Sequence, residues 1–224
     1  MKKNKIFVAC DSKNISKIKK IISETQNSKI KVGYKFGLEF LNSKNGRNFV
    51  SKLKNKIIFA DLKIHDIPNT CVSTIKAIKD LNVNYLTMHI SSGLDALKTS
   101  KKVSGKIKII GVTILTSLDH KSLKEIGFDK NLKKLVFHQA RLASKAKLDA
   151  IVCSPQEIKT IKKVFKKEII TPGIRLHGDS KGDQRRVMTP KKAFENGATS
   201  LVMGRSLLKG NLRRNIFKLA EQIK

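Results

Sequence analysis

Eight short apolar runs, each followed by an amphipathic stretch, constrain the fold more than any other feature of this sequence. The intervening stretches, such as ISKIKKIIS and TCVSTIKAIKDL, place apolar residues three and four positions apart, as amphipathic helices do. Strands that alternate with helices form parallel sheets, and eight fairly even repeats favour a closed α/β barrel of the (β/α)8 TIM type over an open doubly wound sheet. The predicted strands are 6–10, 30–36, 56–62, 84–90, 108–114, 149–153, 168–172 and 199–204.

Length and composition agree with one catalytic domain over residues 1–224. The chain has 224 residues, 40% of them hydrophobic but only 5% aromatic and none Trp, so Ile, Leu and Val must build most of the core. We find no linker or low-complexity segment and no apolar stretch long enough to span a bilayer. The apolar stretch before Asp11 is too short for a signal peptide, and we expect a cytoplasmic protein without a membrane partner.

Three cysteines support the same compartment. Cys10, Cys71 and Cys153 are far apart, odd in number and free of any C-x-x-C pairing. This spacing is typical of reduced thiols in a cytosolic protein and not of a disulfide framework or a zinc site. Because each cysteine lies in or beside an apolar segment, we expect all three to be buried.

The segment FADLKIHDIPNT (59–70) delivers three charges at the end of the third strand. Side chains alternate along a strand with a period of two, so Asp61 and Lys63 should point the same way. Pro68 should end the strand, and Asn69 or Thr70 should cap a helix that begins near Cys71. By itself the D-x-K-x-x-D spacing is also compatible with a solvated cluster of ion pairs.

A parallel barrel gathers the carboxyl ends of its strands at one rim, where functional residues belong. The ends of the other predicted strands are also polar, which favours an active site at this rim over a surface ion-pair cluster. The rim residues outside strand 3 are Asp11, Lys35, His89, Thr113, Thr116, Pro172, Gly173, Arg175, Gly204 and Arg205.

The loops after strands 7 and 8 have the composition of a phosphate site. TPGIR (171–175) and MGRS (203–206) each join a glycine, which allows close backbone approach to an anion, to an arginine fork. Barrels commonly bind phosphate at this position. The polar segment 176–190 between these loops is interpreted as a mobile lid.

The formal net charge of +31 raises the possibility of nucleic-acid binding. The excess comes from 48 Lys and Arg against 17 Asp and Glu, mostly lysines on predicted helix exteriors, without a basic stretch interleaved with aromatics. We therefore expect no dedicated nucleic-acid partner, although the field should attract a small polyanionic substrate. His65 and His89 are interpreted as structural, and no cluster of residues indicates a metal site.

With these residues in place, the chain resembles the orotidine 5′-phosphate decarboxylase family, and its bacterial branch in particular, over nearly its full length. Ser206 stands where many relatives have proline, and the segment after Phe40 lacks a common Gly-Pro. The order and spacing of the following segments carry the resemblance: 35–39 (KFGLE), 61–70 (DLKIHDIPNT), 87–89 (TMH), 112–119 (VTILTSLD), 152–155 (VCSP), 171–175 (TPGIR), 182–190 (GDQRRVMTP) and 202–206 (VMGRS).

The resemblance implies decarboxylation of orotidine 5′-monophosphate to uridine 5′-monophosphate, without a metal or organic cofactor. Lys63 matches the proton donor of the family. Lys35, Asp61 and Asp66 match the charged network around it. The family is dimeric, and Asp66 is the residue contributed by the partner subunit.

The resemblance also implies the residues that bind substrate. Asp11 and Lys35 match residues that contact the sugar, and Thr70 matches one that reaches the ribose in the neighbouring site. Thr116 matches the residue that reads the pyrimidine. The positions that match the phosphate group are Arg175, Gln184, Gly204 and Arg205, with Gln184 on the closing loop.

Two other functions are kept open. A related decarboxylase or aldolase that acts on a sugar phosphate would share D-x-K-x-x-D but use a magnesium ion. A cationic barrel that binds nucleic acid without catalysis would belong to a different class. Lys35, the HDIPNT continuation and Gln184 favour the nucleotide substrate.

Overall fold

Eight parallel strands close into a barrel in the order of the chain, as the repeat pattern predicted. The computed structural model describes residues 4–177, 179 and 187–223. Each strand pairs with the next, and β8 pairs with β1 to complete the barrel. The strands are β1 (Lys5–Ala9), β2 (Lys31–Gly37), β3 (Ile58–Ile64), β4 (Tyr85–His89), β5 (Lys108–Val112), β6 (Ala150–Val152), β7 (Glu168–Thr171) and β8 (Ser200–Met203).

Helices occupy the intervals between strands and cover the outside of the barrel. Asn14, Asp119, Asn131 and Asn211 precede helices, and each accepts a hydrogen bond from a backbone N–H three residues on, which satisfies a donor in the first turn. The helices are α1 (Ile15–Thr25), α2 (Leu38–Leu41), α3 (Gly46–Ser51), α4 (Pro68–Ala77), α5 (Leu94–Val103), α6 (His120–Glu125), α7 (Leu132–Lys145), α8 (Ile158–Lys162), α9 (Pro190–Asn196), α10 (Arg205–Leu208) and α11 (Leu212–Gln222).

The start of α4 differs from the sequence prediction. The helix begins at Pro68, so Asn69 and Thr70 lie in its first turn and neither caps it. Ile67 occupies the N-cap position with extended backbone. Proline is well suited to the first helical position because its fixed φ matches the helix and its missing N–H would have had no partner there.

The barrel interior contains a compact apolar layer. Phe7 packs edge-on against Phe59 at 5.0 Å and against Tyr85 at 5.2 Å between ring centroids. Gly33 gives the Phe7 ring room, since a Cβ at that position would stand 2.8 Å from it. Ile110, Ala150 and Ile170 complete the buried members of this layer. A second and larger core of alternate strand residues and helix residues lies between the barrel and its helices.

Below this layer, at the amino-terminal end of the barrel, one carboxylate is shared by two lysines. Glu168 Oε2 lies 3.1 Å from Lys5 Nζ and accepts a hydrogen bond from the Tyr85 hydroxyl at 3.1 Å, while Lys108 pairs with Oε1. Burial alone would raise the pKa of Glu168, but the hydrogen bonds and charges of the two lysines outweigh it and hold that pKa below its ordinary value. The cluster therefore ties β1, β4, β5 and β7 together at this end.

All three cysteines are buried free thiols, as predicted. Among the residues that the structure describes, no helix is both long enough and apolar enough to cross a bilayer.

Replacing Glu168 tests the amino-terminal cluster. Glu168→Gln leaves two lysines without their shared carboxylate and should lower the free energy of unfolding at pH 7 by about 1–3 kcal/mol. Because the folded-state pKa of Glu168 is depressed, its contribution is present above the ordinary value of 4.5 and is lost as pH falls through the lower folded value. Urea unfolding between pH 3.5 and 7 should thus show the two proteins converging at acidic pH.

Glu195→Gln provides the matched control, since Glu195 lies on the outside of α9 with only a loose contact of 3.9 Å to Lys192. It should change stability little at any pH. A Glu168 variant as stable as the parent at pH 7 would contradict the stabilising role of the cluster.

Candidate active site

A cavity of about 300 Å³ opens at the carboxyl-terminal end of the barrel, above the apolar layer. It combines charged residues on one side with apolar walls and two glycine-containing loops on the other. The lining residues are Ala9, Asp11, Lys35, Phe59, Asp61, Lys63, Val112, Ile114, Leu115, Thr116, Val152, Cys153, Pro172, Gly173, Arg175, Val202, Gly204 and Arg205.

Asp61 is the centre of the charged side. Its residue surface is only 9% exposed. Oδ2 lies 2.9 Å from Lys63 Nζ and 3.4 Å from Lys35 Nζ, and Oδ1 accepts a hydrogen bond of 3.0 Å from the Thr87 hydroxyl. Every oxygen of this buried carboxylate therefore has a partner.

The surroundings of Asp61 and Lys35 keep both groups charged. Burial would raise the pKa of Asp61, but the ammonium groups of Lys35 and Lys63 and the hydrogen bonds lower it below its ordinary value. Burial would likewise lower the pKa of Lys35, but Asp61 and Asp11 raise it above its ordinary value. Each buried charge is thus stabilised by opposite charges on neighbouring strands.

The alternation of charge continues to β1. Lys35 Nζ lies 3.0 Å from Asp11 Oδ1, and the Asp11 side chain is about half exposed at the cavity mouth. Gly37 permits this approach, because a Cβ there would stand 3.2 Å from Asp11 Oδ1 and 3.5 Å from Lys35 Nζ. The sequence Asp11, Lys35, Asp61, Lys63 therefore forms a continuous chain of alternating charges along one wall.

Lys63 reaches this array through an irregular backbone. The register between β3 and β4 shifts between Ala60 and Ile64, and Lys63 has a left-handed φ of 49°. Its amide donates to Thr87 Oγ1 at 2.9 Å. The prediction that Asp61 and Lys63 face the same way is confirmed, but a bulge and not a flat strand brings the two side chains together.

The opposite side of the cavity has the predicted glycine loops. Gly173 has a positive φ of 77°, and the backbone of its loop pairs with Met188 through Arg175 N and Gly173 O. Gly204 precedes the short helix α10, and both Arg175 and Arg205 line the cavity. This end of the cavity is therefore basic, and the backbone of the two glycine-containing loops borders the cavity.

Ser206 ties these two loops together. Its hydroxyl accepts a hydrogen bond of 2.9 Å from Leu176 N and pairs with the carboxylate of Asp179. Gln184 and most of the predicted lid, residues 178 and 180–186, lie outside the described residues.

Asp66 and Thr70 do not line the cavity. Both are exposed, and so is every residue from His65 to Thr70, including Ile67 with 66% of its surface accessible. Asp66 Oδ1 accepts a local hydrogen bond of 2.7 Å from Ile67 N. Within one subunit, Asp66 and Thr70 therefore lie outside the cavity that Asp61 and Lys63 line.

Sequence reasoning missed Thr87 and the apolar wall of the cavity. Thr87 lies two residues before His89 on β4, so strand alternation places both side chains on the same side of the strand. Nothing in the sequence indicates the two hydrogen bonds of the Thr87 hydroxyl. The apolar wall includes Val112, Val152 and Val202, which sequence reasoning did not single out. His89 stacks on His65 with 5.2 Å between ring centroids, and burial, followed by His65 and Lys63, lowers its pKa.

The arrangement suits acid chemistry on an anionic substrate. A lysine in ion-pair contact with a buried aspartate can hold and deliver a proton, and the basic loops can bind an anionic group elsewhere in the same cavity. Among the described residues, no group of three or more His, Cys, Asp or Glu side chains is arranged to hold a metal ion.

Comparison with known proteins gives a consistent result. The family model described as "Orotidine 5'-phosphate decarboxylase / HUMPS family" matches residues 4–216. Curated relatives include the orotidine 5′-phosphate decarboxylases of Prochlorococcus marinus strain MIT 9215 and of the Wolbachia endosymbiont of Brugia malayi, both 40% identical. The first alignment covers 92% of this chain and 89% of the relative, and the second covers 96% and 97%.

The solved structures of two orotidine 5′-phosphate decarboxylases have the same fold as this chain. The crystal structure of orotidine 5′-phosphate decarboxylase from Lactobacillus acidophilus superposes with a TM-score of 0.83 at 29% identity, covering 98% of both chains. The fold is also that of the enzyme from Methanocaldococcus jannaschii, crystallised with the inhibitor BMP, with a TM-score of 0.79 at 23% identity over 99% of both chains.

The ionisation of Asp61 should depend on Lys35. Lys35→Met removes one of the two cations that hold the pKa of Asp61 down, so that pKa should rise. Titration of the Asp carboxyl ¹³C resonances by NMR measures it. Lys31→Met, an exposed position at the other end of the same strand, should leave the Asp61 titration unchanged. An unchanged Asp61 titration in the Lys35 variant would show that Lys63 and Thr87 suffice.

Proposed function

Because the chain belongs to the orotidine 5′-phosphate decarboxylase family and decarboxylates orotidine 5′-monophosphate to uridine 5′-monophosphate in pyrimidine biosynthesis, we propose that Asp61 and Lys63 carry the chemical step. The observation that carries this proposal is the buried Asp61 carboxylate in ion-pair contact with Lys63 at the cavity wall. The family binds orotidine 5′-monophosphate, which carries a carboxylate and a phosphate. We assign the carboxylate to the side of the cavity with Asp61 and Lys63, and the phosphate to the basic loops.

The chemical difficulty is the carbanion. When the bond between C6 and the carboxylate breaks, the electron pair stays on C6 in the ring plane and carbon dioxide leaves. Asp61 faces the substrate carboxylate and disfavours it, whereas the Lys63 ammonium stabilises the developing charge and then donates its proton to C6. Solvent returns a proton to Lys63 after product release. Lys35 helps to keep Asp61 ionised, and the ionised Asp61 lies in ion-pair contact with Lys63.

The remaining contacts position the substrate. Asp11 and Lys35 contact the ribose, and Thr116 reads the pyrimidine. The phosphate is bound by Arg175, Gln184, Gly204 and Arg205. Support comes from the described members of this set, all of which line the cavity. Phosphate binding far from C6 supplies binding energy that holds the reacting carbon against Lys63.

The enzyme acts as a homodimer in which the partner subunit's Asp66 and the partner subunit's Thr70 complete each site. One observation supports this arrangement. Residues 65–70 are all exposed, and neither Asp66 nor Thr70 lines the cavity of its own subunit, so the stretch is accessible to a second subunit.

We place the enzyme in the cytoplasm, without a nucleic-acid or membrane partner. Its three buried free thiols fit a reducing compartment. Fractionation of cells followed by immunoblotting tests this placement, and recovery of the protein with membranes or nucleic acid would contradict it.

Lys63→Ala should retain the fold but lose decarboxylation by roughly 10³-fold or more, because the cation and the proton donor disappear together. The assay follows orotidine 5′-monophosphate by absorbance with EDTA present and no added metal. Lys106→Ala, at an exposed position on the amino-terminal side of β5, is the matched control and should keep parental turnover. Parental activity in the Lys63 variant would refute its role, and abolition of parental activity by EDTA would favour the magnesium-dependent alternative.

Hybrid dimers test the shared site. When Lys63→Ala and Asp66→Ala subunits are co-expressed, one site of each hybrid combines an intact Lys63 with an intact partner Asp66. Random pairing makes half of the dimers hybrids, so activity should recover to about a quarter of the parental value. Lys63→Ala mixed with Asp61→Ala should not recover, since both residues belong to the same subunit's site. Equal behaviour of the two mixtures would contradict the shared site.

A further inference from the structure

Thr87 connects the two reacting groups of the site without lining the cavity. It lies on β4, is completely buried, and places one hydroxyl between Asp61 and Lys63. That hydroxyl donates to Asp61 Oδ1 at 3.0 Å and accepts from Lys63 N at 2.9 Å. A hydroxyl has one proton and two lone pairs, so both hydrogen bonds form at once.

The first hydrogen bond gives the two oxygens of the Asp61 carboxylate different partners. Oδ1 is occupied by Thr87, whereas Oδ2 lies against both Lys63 Nζ and Lys35 Nζ. A carboxylate can rotate about its Cβ–Cγ bond with little resistance. Thr87 therefore fixes which oxygen faces the ammonium groups.

The second hydrogen bond holds a strained backbone. Lys63 has a φ of 49°, a left-handed conformation that residues with a Cβ rarely adopt. The shift in register between β3 and β4 also interrupts the regular ladder here, and the Lys63 amide bonds to the Thr87 side chain instead. A strained backbone conformation of this kind persists only where several surrounding contacts hold it in place.

We propose that Thr87 is a positioning residue for the decarboxylation, holding the Asp61 carboxylate and the Lys63 backbone in the relative geometry that the chemical step needs. This inference rests on the proposed roles of Asp61 and Lys63. Since Thr87 does not reach the cavity, its loss should affect the reacting geometry and leave the binding of the phosphate and ribose intact.

Thr87→Val tests the hydroxyl at nearly constant volume. We expect kcat to fall about 100-fold, as for a small misplacement of reacting groups, while KM changes by less than about threefold. Thr87→Ser restores the hydroxyl without the methyl group and should return kcat to within about threefold of the parent. If the valine variant does not fold, Thr87→Ala removes the same hydroxyl with less crowding and is compared with serine in the same way.

Ser200→Ala is the control. Ser200 is also completely buried on a barrel strand, β8, but its hydroxyl has no hydrogen-bond partner among the described residues. Its replacement should leave kcat and KM within about twofold of the parent, because no hydrogen bond is lost.

A readout independent of activity is the Lys63 amide. Hydrogen exchange measured by NMR should accelerate at Lys63 by about tenfold or more in Thr87→Val, since the amide loses its acceptor, and should be unchanged in Ser200→Ala.

The outcomes separate the two proposals. Parental kcat in Thr87→Val, or equal losses in the serine and valine variants, would overturn the positioning role while an inactive Lys63→Ala leaves the proposed function standing. A loss expressed only in KM would also overturn it. An active Lys63→Ala variant would refute the proposed chemistry, whatever Thr87 does.

Discussion

A carboxylate buried between two lysines is the interaction on which the functional end of this barrel depends. Removing Asp61 from water is costly, and the cost is offset because Lys35, Lys63 and Thr87 all contact it. Lys35 is buried as well and needs Asp11 as its second counter-charge. The two buried members of the array are therefore stabilised by their neighbours, and these contacts link the ends of β1, β2, β3 and β4 through side chains.

A similar ion-pair cluster lies at the amino-terminal end of the barrel, where it contributes to stability and not to a candidate catalytic site. Glu168 is also a carboxylate between two lysines, but Tyr85 donates to it and the rings of Phe7 and Phe59 pack directly above. At the carboxyl end, strand interiors continue past the aromatic layer into open space. An ion-pair cluster becomes a candidate catalytic site where a cavity adjoins it, and contributes to stability where packing closes over it.

The periodicity of the sequence was sufficient to predict the barrel, because strands buried on both faces leave a clear series of apolar runs in the sequence. All eight strands, the closure and the rim positions of Asp11, Lys35 and Arg205 followed from it. The start of α4 at Pro68 was missed because Asn69 and Thr70 are good caps in isolation, and only the geometry of the turn shows that Ile67 takes that place. The bulge at Lys63 depends on tertiary contacts with β4, and no local pattern in the sequence encodes it.

Thr87 shows the other limit of sequence reasoning. A threonine inside an apolar strand is compatible with packing alone, and its role emerges only from the atoms it bridges. The proposed shared site has a different origin. The family resemblance assigns Asp66 and Thr70 to a partner subunit's site, and in the structure these residues are exposed and do not line their own cavity.

The alternation of β3 also explains how one short segment can serve two places. Asp61 and Lys63 line the cavity, whereas Ile64 packs in the outer core between the barrel and its helices. Asp66 lies an even number of residues from Ile64, just beyond the strand, and it is exposed and does not line the cavity. Pro68 then starts the helix α4. The segment that delivers the Lys63 ammonium to Asp61 thus carries Asp66 past its own cavity, and the reaction geometry and the proposed subunit pairing depend on the same few residues.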